Sequence, residues 1–147
     1  MEACTFFGHR DLNYQHIEDN LTVIIKDLIT KNGVNTFFVG DSGNFDKTVY
    51  RVLINLKKTS YPDINISLVL AYLPKQNEFS LTDYSNSVYP EGIENVPLRF
   101  AIIFRNNFMI ENSKYVITYV KRDIGGAAKF KAIAEKKDKL VIELSNI

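Results

Sequence analysis

Three short segments combine residue types that can hold an anionic ligand. They are Gly8-His9-Arg10, Gly40-Asp41-Ser42-Gly43 and Gly125-Gly126. Each follows an apolar run and precedes a helical pattern, which predicts a turn from a strand into a helix. Free backbone N–H groups at such a turn, together with the helix dipole, favour a phosphate. Because glycine has no side chain, the ligand can approach the backbone closely.

The side chains in these turns suggest different roles. Arg10 is a fixed cation suited to phosphate, and His9 titrates near neutrality. Asp41, directly after a strand, could accept hydrogen bonds from ribose hydroxyl groups. Asp46 is better explained as a helix-start residue stabilised by the dipole. Arg105 either points into the predicted crevice or belongs to a solvated helix face, and helical spacing alone favours the solvated face.

Each of these groups also has a purely structural explanation. A lone histidine is more often a hydrogen-bonded structural residue than a catalyst, and this applies even more to His16. Gly125-Gly126 is explained equally well by a tight turn with close helix packing. The lysines of the last helix, Lys129 among them, favour solvation of that helix. Three tyrosines either stack on a base or pack in the core: Tyr72, Tyr84 and Tyr89.

Several familiar signatures are missing. The glycine turns depart from both the GxGxxG pattern and the P-loop pattern, so neither an ordinary dinucleotide enzyme nor a nucleoside triphosphatase is indicated. No Cys/His cluster has the spacing of metal ligands, and we therefore predict no metal site.

Hydrophobic periodicity predicts alternating strands and helices. The predicted strands are 3–7, 34–39, 64–73, 115–120 and 140–144, and four helical patterns lie among them. The connection 74–96 has no clean period, and such a long irregular connection is often a lid or a binding loop. This order predicts an α/β fold: one doubly wound, three-layer domain with a mainly parallel five-stranded sheet in the order 3-2-1-4-5. The crevice then lies between the ends of strands one and four, where Gly8-His9-Arg10 faces 123–126.

Composition restricts the remaining choices. A chain of 147 residues with a net charge of +1 is expected to form one domain over 1–147, without the basic patch of a nucleic-acid or membrane surface. The single cysteine, Cys4, is expected to be a small buried side chain in a reducing compartment.

With no leader pattern and no apolar run long enough for a bilayer, we expect a cytoplasmic protein. Domains of this type often pair, so a homo-oligomer is compatible with the sequence.

Five motifs in register resemble a bacterial family of uncharacterised domains in the SLOG superfamily. The likeness spans nearly the whole chain, and its motifs are Phe7-Gly8-His9-Arg10, Gly40-Asp41-Ser42-Gly43-Asn44-Phe45-Asp46, the segment 89–97, Arg105-Asn106-Asn107-Phe108-Met109-Ile110 and Gly125-Gly126-Ala127-Ala128-Lys129. The resemblance implies a Rossmann-like fold and a pocket for a nucleotide or a nucleotide derivative, and it favours functional roles for His9, Arg10, Asp41, Arg105, Gly125 and Gly126. The superfamily also includes the LOG-type phosphoribohydrolases and the DNA-processing protein A group.

One departure separates this chain from the LOG enzymes. Their Pro-Gly-Gly-x-Gly-Thr-x-x-Glu signature supplies a glutamate for glycosidic cleavage, whereas the matching stretch here is 124–131 and holds no carboxylate. We therefore expect the protein to bind or sense a nucleotide, and this nucleotide is the possible bound cofactor. We assign no catalytic residue. The alternatives are an N-glycoside hydrolase or transferase that uses His9, Asp41 or another carboxylate (Glu91, Glu94, Asp123), and a nucleic-acid-binding module, which the balanced charge disfavours.

Overall fold

The computed structural model describes residues 2–72 and 87–146, and these residues form one parallel sheet. Its strands are β1 (Glu2–Gly8), β2 (Val34–Val39), β3 (Asn65–Val69), β4 (Ser87–Val88), β5 (Tyr115–Tyr119) and β6 (Leu140–Glu143). They lie in the order β4-β3-β2-β1-β5-β6, and every neighbouring pair is parallel. The carboxyl ends of all described strands therefore meet at one edge of the sheet.

Helices cover both faces of this sheet. They are α1 (Glu18–Asn32), α2 (Asn44–Thr59), α3 (Ala101–Glu111) and α4 (Gly126–Lys136). Leu21 and Leu53 belong to one core, with α1 and α2, whereas Met109 and Phe130 belong to a second core, with α3 and α4. The predicted α/β class, a parallel sheet with helices on both sides, is confirmed.

Alternation along β1 joins the two cores. Cys4 and Phe6 point into the α1/α2 core, and Phe7 points into the α3/α4 core, because successive side chains of a strand face opposite sides. Cys4 has no exposed surface, as predicted, and burial raises the pKa of its thiol. A central strand buried on both faces is typical of a parallel sheet.

Local signals explain where α1 ends. Gly33 follows the helix in the left-handed conformation, with φ of 69°, and its N–H donates to the carbonyl of Leu28. Glycine adopts this backbone without steric cost and so ends the helix, as the Asn32-Gly33 pair predicts. At the other end, a 3-10 turn (Gln15–Ile17) precedes α1, and the Asn13 side chain accepts the N–H of Gln15.

The prediction of five strands is wrong, because residues 2–72 and 87–146 form a sheet of six. The additional strand, β4, is only two residues long and pairs with β3 at the sheet edge. It lies within the connection 74–96, where so short a strand leaves no hydrophobic period to detect. The relative order of the five predicted strands agrees with the structure. Most of the predicted lid, including Phe79 and Tyr84, lies outside the described residues.

A second difference concerns the start of α3. The sequence places Pro97 in the first turn of that helix, but a 3-10 turn (Leu98–Phe100) follows Pro97, and α3 begins at Ala101. Within 2–72 and 87–146, no helix has the length and apolar character needed to cross a membrane.

Candidate ligand-binding site

The turns that follow β1 and β5 lie against each other at the carboxyl edge of the sheet. His9 Nε2 accepts a hydrogen bond from the backbone N–H of Lys121 at 3.0 Å and a longer one from that of Arg122 at 3.4 Å. The Arg122 guanidinium also donates to the Asp11 carboxylate, at 2.6 Å. The turn after β1 therefore forms one wall of a crevice, and the loop between β5 and α4 forms the opposite wall.

A cavity of about 350 Å³ opens beside this crevice. Its apolar part is formed by the residues Phe6, Phe7, Ile102, Ile103, Met109, Ala127 and Phe130. Its polar part is formed by Arg10, Ser42, Asp46, Arg105, Asn106 and Lys129, with Gly8 and Gly126 at the backbone. Three cations and one carboxylate thus face the cavity among the described residues, which favours an anionic ligand with an apolar portion.

Packing explains why positions 8 and 40 are glycines. A Cβ atom at Gly8 would lie 2.3 Å from Cγ of Phe45, whose ring packs on the backbone there. A Cβ atom at Gly40 would lie 2.7 Å from Asp46 Oδ2 and 3.0 Å from Arg105 Nη1. Both glycines therefore allow protein groups to approach, so neither needs a ligand to account for it.

Arg105 joins three parts of the site from within the protein. Its side chain is only 2% exposed, so Arg105 does not lie on the solvated face that helical spacing alone favours. Nη1 donates to Asp41 Oδ1 at 2.9 Å and to the carbonyl of Val69 at 3.1 Å, while Nη2 donates to Ser42 Oγ at 3.2 Å. Nε donates to Asn106 Oδ1 at 2.7 Å. A buried guanidinium needs such partners, and here they attach the turn after β2 to the end of β3 and to α3.

The carboxylate that faces the cavity is Asp46 rather than Asp41. Asp41 is paired with Arg105 and is not among the lining residues. Asp46 is half-buried, and its Oδ2 accepts the N–H of Ser42 at 2.9 Å. Burial raises the pKa of Asp46 to about 6, against the opposing effects of Arg105 and the Ser42 hydrogen bond. Sequence reasoning explains Asp46 only as a helix-start residue, because its position in the first turn of α2 fits that role.

The glycine turn before α2 and the glycine turn before α4 differ in one respect. At α2, other protein groups already contact the N-terminal end of the helix. At the start of α2, the N–H of Asn44 donates to the carbonyl of Arg10 at 2.9 Å. Gly43 has φ of 95°, and a Cβ atom there would lie 2.6 Å from Arg10 Cβ. This turn is therefore filled by the protein itself.

The start of α4 is open by comparison. Gly125 has φ of 99°, which favours glycine, and no side chain caps the helix there. A Cβ atom at Gly126 would meet no heavy atom within 4 Å, so packing does not explain this glycine. Lys129, one turn further, lines the cavity and does not merely solvate α4 as predicted. Uncapped N–H groups at a helix start are suited to an anion.

His9 has a structural role that its sequence position does not reveal. It is 6% exposed, and its carbonyl accepts the hydroxyl of Tyr14 at 2.6 Å. Burial lowers the pKa of His9 from its ordinary value, the Arg122 charge acts in the same direction, and Asp11 and Glu143 oppose them. The neutral ring is thus the favoured form, with Nε2 free of a proton and able to accept.

Other candidates lie away from the cavity. Neither Tyr72 nor Tyr89 lines it, and the Tyr72 hydroxyl instead donates to the carbonyl of Leu98. The three carboxylates considered as acids or bases, Glu91, Glu94 and Asp123, are also absent from its lining. In the part of the chain that the structure describes, no group of His, Cys, Asp and Glu side chains is arranged to hold a metal ion.

An open parallel sheet with helices on both faces, and a cavity where the strand order reverses, defines a Rossmann-like α/β protein. The structure is similar to the X-ray structure of DNA processing protein A (DprA) from Streptococcus pneumoniae, with a TM-score of 0.67 and 16% sequence identity. The likeness covers 97% of this chain and 50% of DprA, so the chain spans half the length of that neighbour. The predicted resemblance to a superfamily that includes the DNA-processing protein A group is confirmed as a likeness of fold. No protein-family model and no curated protein matches the sequence.

Proposed function

We propose that the cavity binds a phosphorylated nucleoside or another nucleotide derivative. The observation that carries this proposal is the open start of α4, which faces a cavity lined by Arg10 and Lys129. The phosphate would bind the N–H groups at Gly126, where the helix dipole and both cations favour negative charge. The phosphate-binding role of Gly125-Gly126 expected from the sequence thus remains our proposal.

The rest of the cavity suits the remainder of such a ligand. Phe7, Met109 and Phe130 offer an apolar surface for a base. Asp46 is our candidate for the ribose hydroxyl groups in place of Asp41, because Asp41 is occupied by Arg105. The hydrogen bond from Ser42 uses Oδ2 of Asp46, and we assign the other oxygen, Oδ1, to the ribose.

Two substitutions test the phosphate site directly. We expect Arg10→Ala and Gly126→Asp each to lower the affinity for nucleoside monophosphates by about tenfold or more, since each weakens a charge-assisted contact. Isothermal titration calorimetry with a panel of monophosphates measures this. Arg51→Ala is the matched control, because Arg51 pairs with Glu18 away from the cavity. Unchanged affinity in both variants would show that these roles are wrong.

Asp46 also favours a second candidate function, cleavage of an N-glycosidic bond. A half-buried carboxyl group with a pKa of about 6 can exchange a proton with a substrate near neutrality. Incubation with nucleoside monophosphates and NAD-type dinucleotides, followed by chromatography for released base, tests this activity. We expect turnover in the unmodified protein and a loss of about a hundredfold or more in Asp46→Asn. Absence of turnover across the panel would leave binding as the function.

DNA binding is less well supported. The structural neighbour is named for DNA processing. The net charge of this chain is nevertheless +1, and phosphate neutralisation by a basic surface supplies most non-specific affinity for DNA. We therefore retain a small nucleotide as the proposed ligand.

A further inference from the structure

The loop 120–125 connects β5 to α4 and so determines where the start of α4 lies. Glu143 accepts the N–H of Val120 at 2.9 Å. The next two N–H groups, those of Lys121 and Arg122, both point to Nε2 of His9. Of the described residues, His9 alone accepts hydrogen bonds from these two N–H groups.

His9 itself is held firmly. The Tyr14 hydroxyl donates to its carbonyl, and Tyr14 is 2% exposed. The Tyr14 ring packs edge-on against both Phe45 and Tyr119, with ring centroids 5.0 Å apart in each case. The main chain of His9 is therefore fixed, and its imidazole, in a residue that is 6% exposed, reaches from the turn after β1 to the loop before α4.

This contact depends on the protonation state of the ring. Neutral imidazole has one nitrogen that accepts, whereas imidazolium carries N–H groups on both nitrogens and accepts nothing. Protonation at Nε2 would therefore remove both hydrogen bonds and bring N–H groups against each other.

We propose that His9 is a positioning residue for the phosphate-binding turn: its neutral Nε2 holds the loop at Lys121 and Arg122, so that protonation of His9 releases the loop and weakens anion binding at the start of α4. The identity of the ligand in this inference rests on the proposed function. The role of His9 in holding the loop is independent of the proposed function.

The charged groups around His9 define the pH range. Arg122, Asp11 and Glu143 influence its charge, Lys121 contributes the neighbouring N–H, and Tyr14 contacts its carbonyl. Because the pKa of His9 is lowered, the hydrogen bonds are intact at pH 7 and above, and they are lost as the pH falls below the ordinary histidine range. Asp46 titrates in a similar range and must be controlled separately.

The test compares His9→Gln with His9→Leu. Gln offers an oxygen acceptor that stays unprotonated at every pH used, whereas Leu offers none. The affinity for adenosine 5′-monophosphate is measured at pH 7.5 and 5.5 in an Asp46→Asn background, which removes the other titrating group. We expect the background protein to lose about fivefold more affinity than the His9→Gln variant on acidification, and His9→Leu to bind weakly at both pH values. Equal pH dependence in the background protein and in its His9→Gln variant would overturn the proposal, as would full affinity in His9→Leu.

A ligand-free measurement separates this proposal from the proposed function. We expect amide hydrogen-exchange protection factors at Lys121 and Arg122 to fall between pH 7.5 and 5.5 in the unmodified protein and to stay constant in His9→Gln. Constant protection in both proteins would overturn the positioning role even if the nucleotide binds. Absence of nucleotide binding at pH 7.5 would overturn the proposed function and the anion-binding half of this proposal, and the protection factors would still decide whether His9 holds the loop.

Discussion

The contact between Gly8 and Phe45 restricts position 8 to glycine. Phe45 is 1% exposed and belongs to the α1/α2 core, so its ring cannot move away from an added methyl group. We expect Gly8→Ala to lower the free energy of unfolding by about 1–3 kcal/mol, the usual cost of an overpacked core. Urea unfolding followed by circular dichroism measures this difference.

The control for this prediction is Gly126→Ala. A Cβ atom at Gly126 would meet nothing within 4 Å, and the residue stands at the first position of α4. Alanine there should leave the urea midpoint unchanged or raise it slightly. If both variants unfold at the midpoint of the unmodified protein, the contact at Gly8 is looser than the structure indicates.

At the same scale, the sequence identifies important glycines without revealing their roles. Gly8, Gly40 and Gly43 are predicted to contact a ligand, yet each has a protein group within 3 Å of a hypothetical Cβ atom. A single sequence shows only that a residue is glycine. It does not show whether the space beside that glycine is occupied by a ligand or by a side chain of the protein. Neither Gly125 nor Gly126 has a protein group within 4 Å of its hypothetical Cβ atom. The positive φ explains Gly125, whereas Gly126 retains the proposed ligand as its explanation.

The ends of β5 and β6 are joined by the Glu143 carboxylate. Glu143 accepts hydrogen bonds from Thr118 Oγ1 at 2.6 Å and from the N–H groups of Val120 and Ser145, and it forms an ion pair with Lys131. Burial would raise its pKa, but these hydrogen bonds outweigh burial and lower the pKa to about 2. This cluster fixes the beginning of the loop that leads to α4.

We expect Glu143→Gln to lower the free energy of unfolding by about 1.5–3 kcal/mol at pH 7, because charge-assisted hydrogen bonds are lost. A carboxylate with a lowered pKa stabilises the fold above its unfolded pKa, and this contribution is lost as the pH falls through its folded pKa. The difference between the two proteins should therefore be largest above pH 5 and shrink between about 4.5 and 2. Denaturant unfolding at a series of pH values tests this trend.

A suitable comparison for the glutamate prediction is Glu135→Gln, at an exposed position on α4. Its effect should be small at every pH, as for most exposed charges. A pH-independent loss of stability in Glu143→Gln would mean that Glu143 contributes by packing rather than through its charge.

Among the elements, long periodic segments are predictable and short or uniform ones are not. The strands around Phe6, Phe37 and Ile117 carry strong apolar runs, and the structure has strands there. β4 is too short to give a pattern. In α3, apolar residues occur all round the helix, so spacing cannot indicate that Arg105 is buried. Its burial depends on partners at the ends of β2 and β3, which lie far away in the chain.

For the whole molecule, the position of the crevice follows from topology, but its chemistry does not. A reversal of strand order beside β1 is predictable from the order of strands and helices. The cavity lies at the end of β1, where residues of α3 and α4 also line it. Which carboxylate faces that cavity depends on the pairing of Asp41 with Arg105, since this pairing leaves Asp46 as the acidic lining residue. Side-chain pairing of this kind cannot be read from spacing along one sequence.

The central place of β1 also affects the order in which the chain can fold. One edge of β1 pairs with β2, which follows β1 closely along the chain. The other edge pairs with β5, which is far away along the chain: Cys4 lies opposite Tyr115. Contacts so distant along the chain form slowly, because a long loop must close first. During synthesis, the β1–β2–β3 half can assemble with α1 and α2 while Phe7 and the free edge of β1 still face water. The growing chain therefore passes through a stage with an exposed apolar sheet face, at which association with other chains competes with completion of the fold.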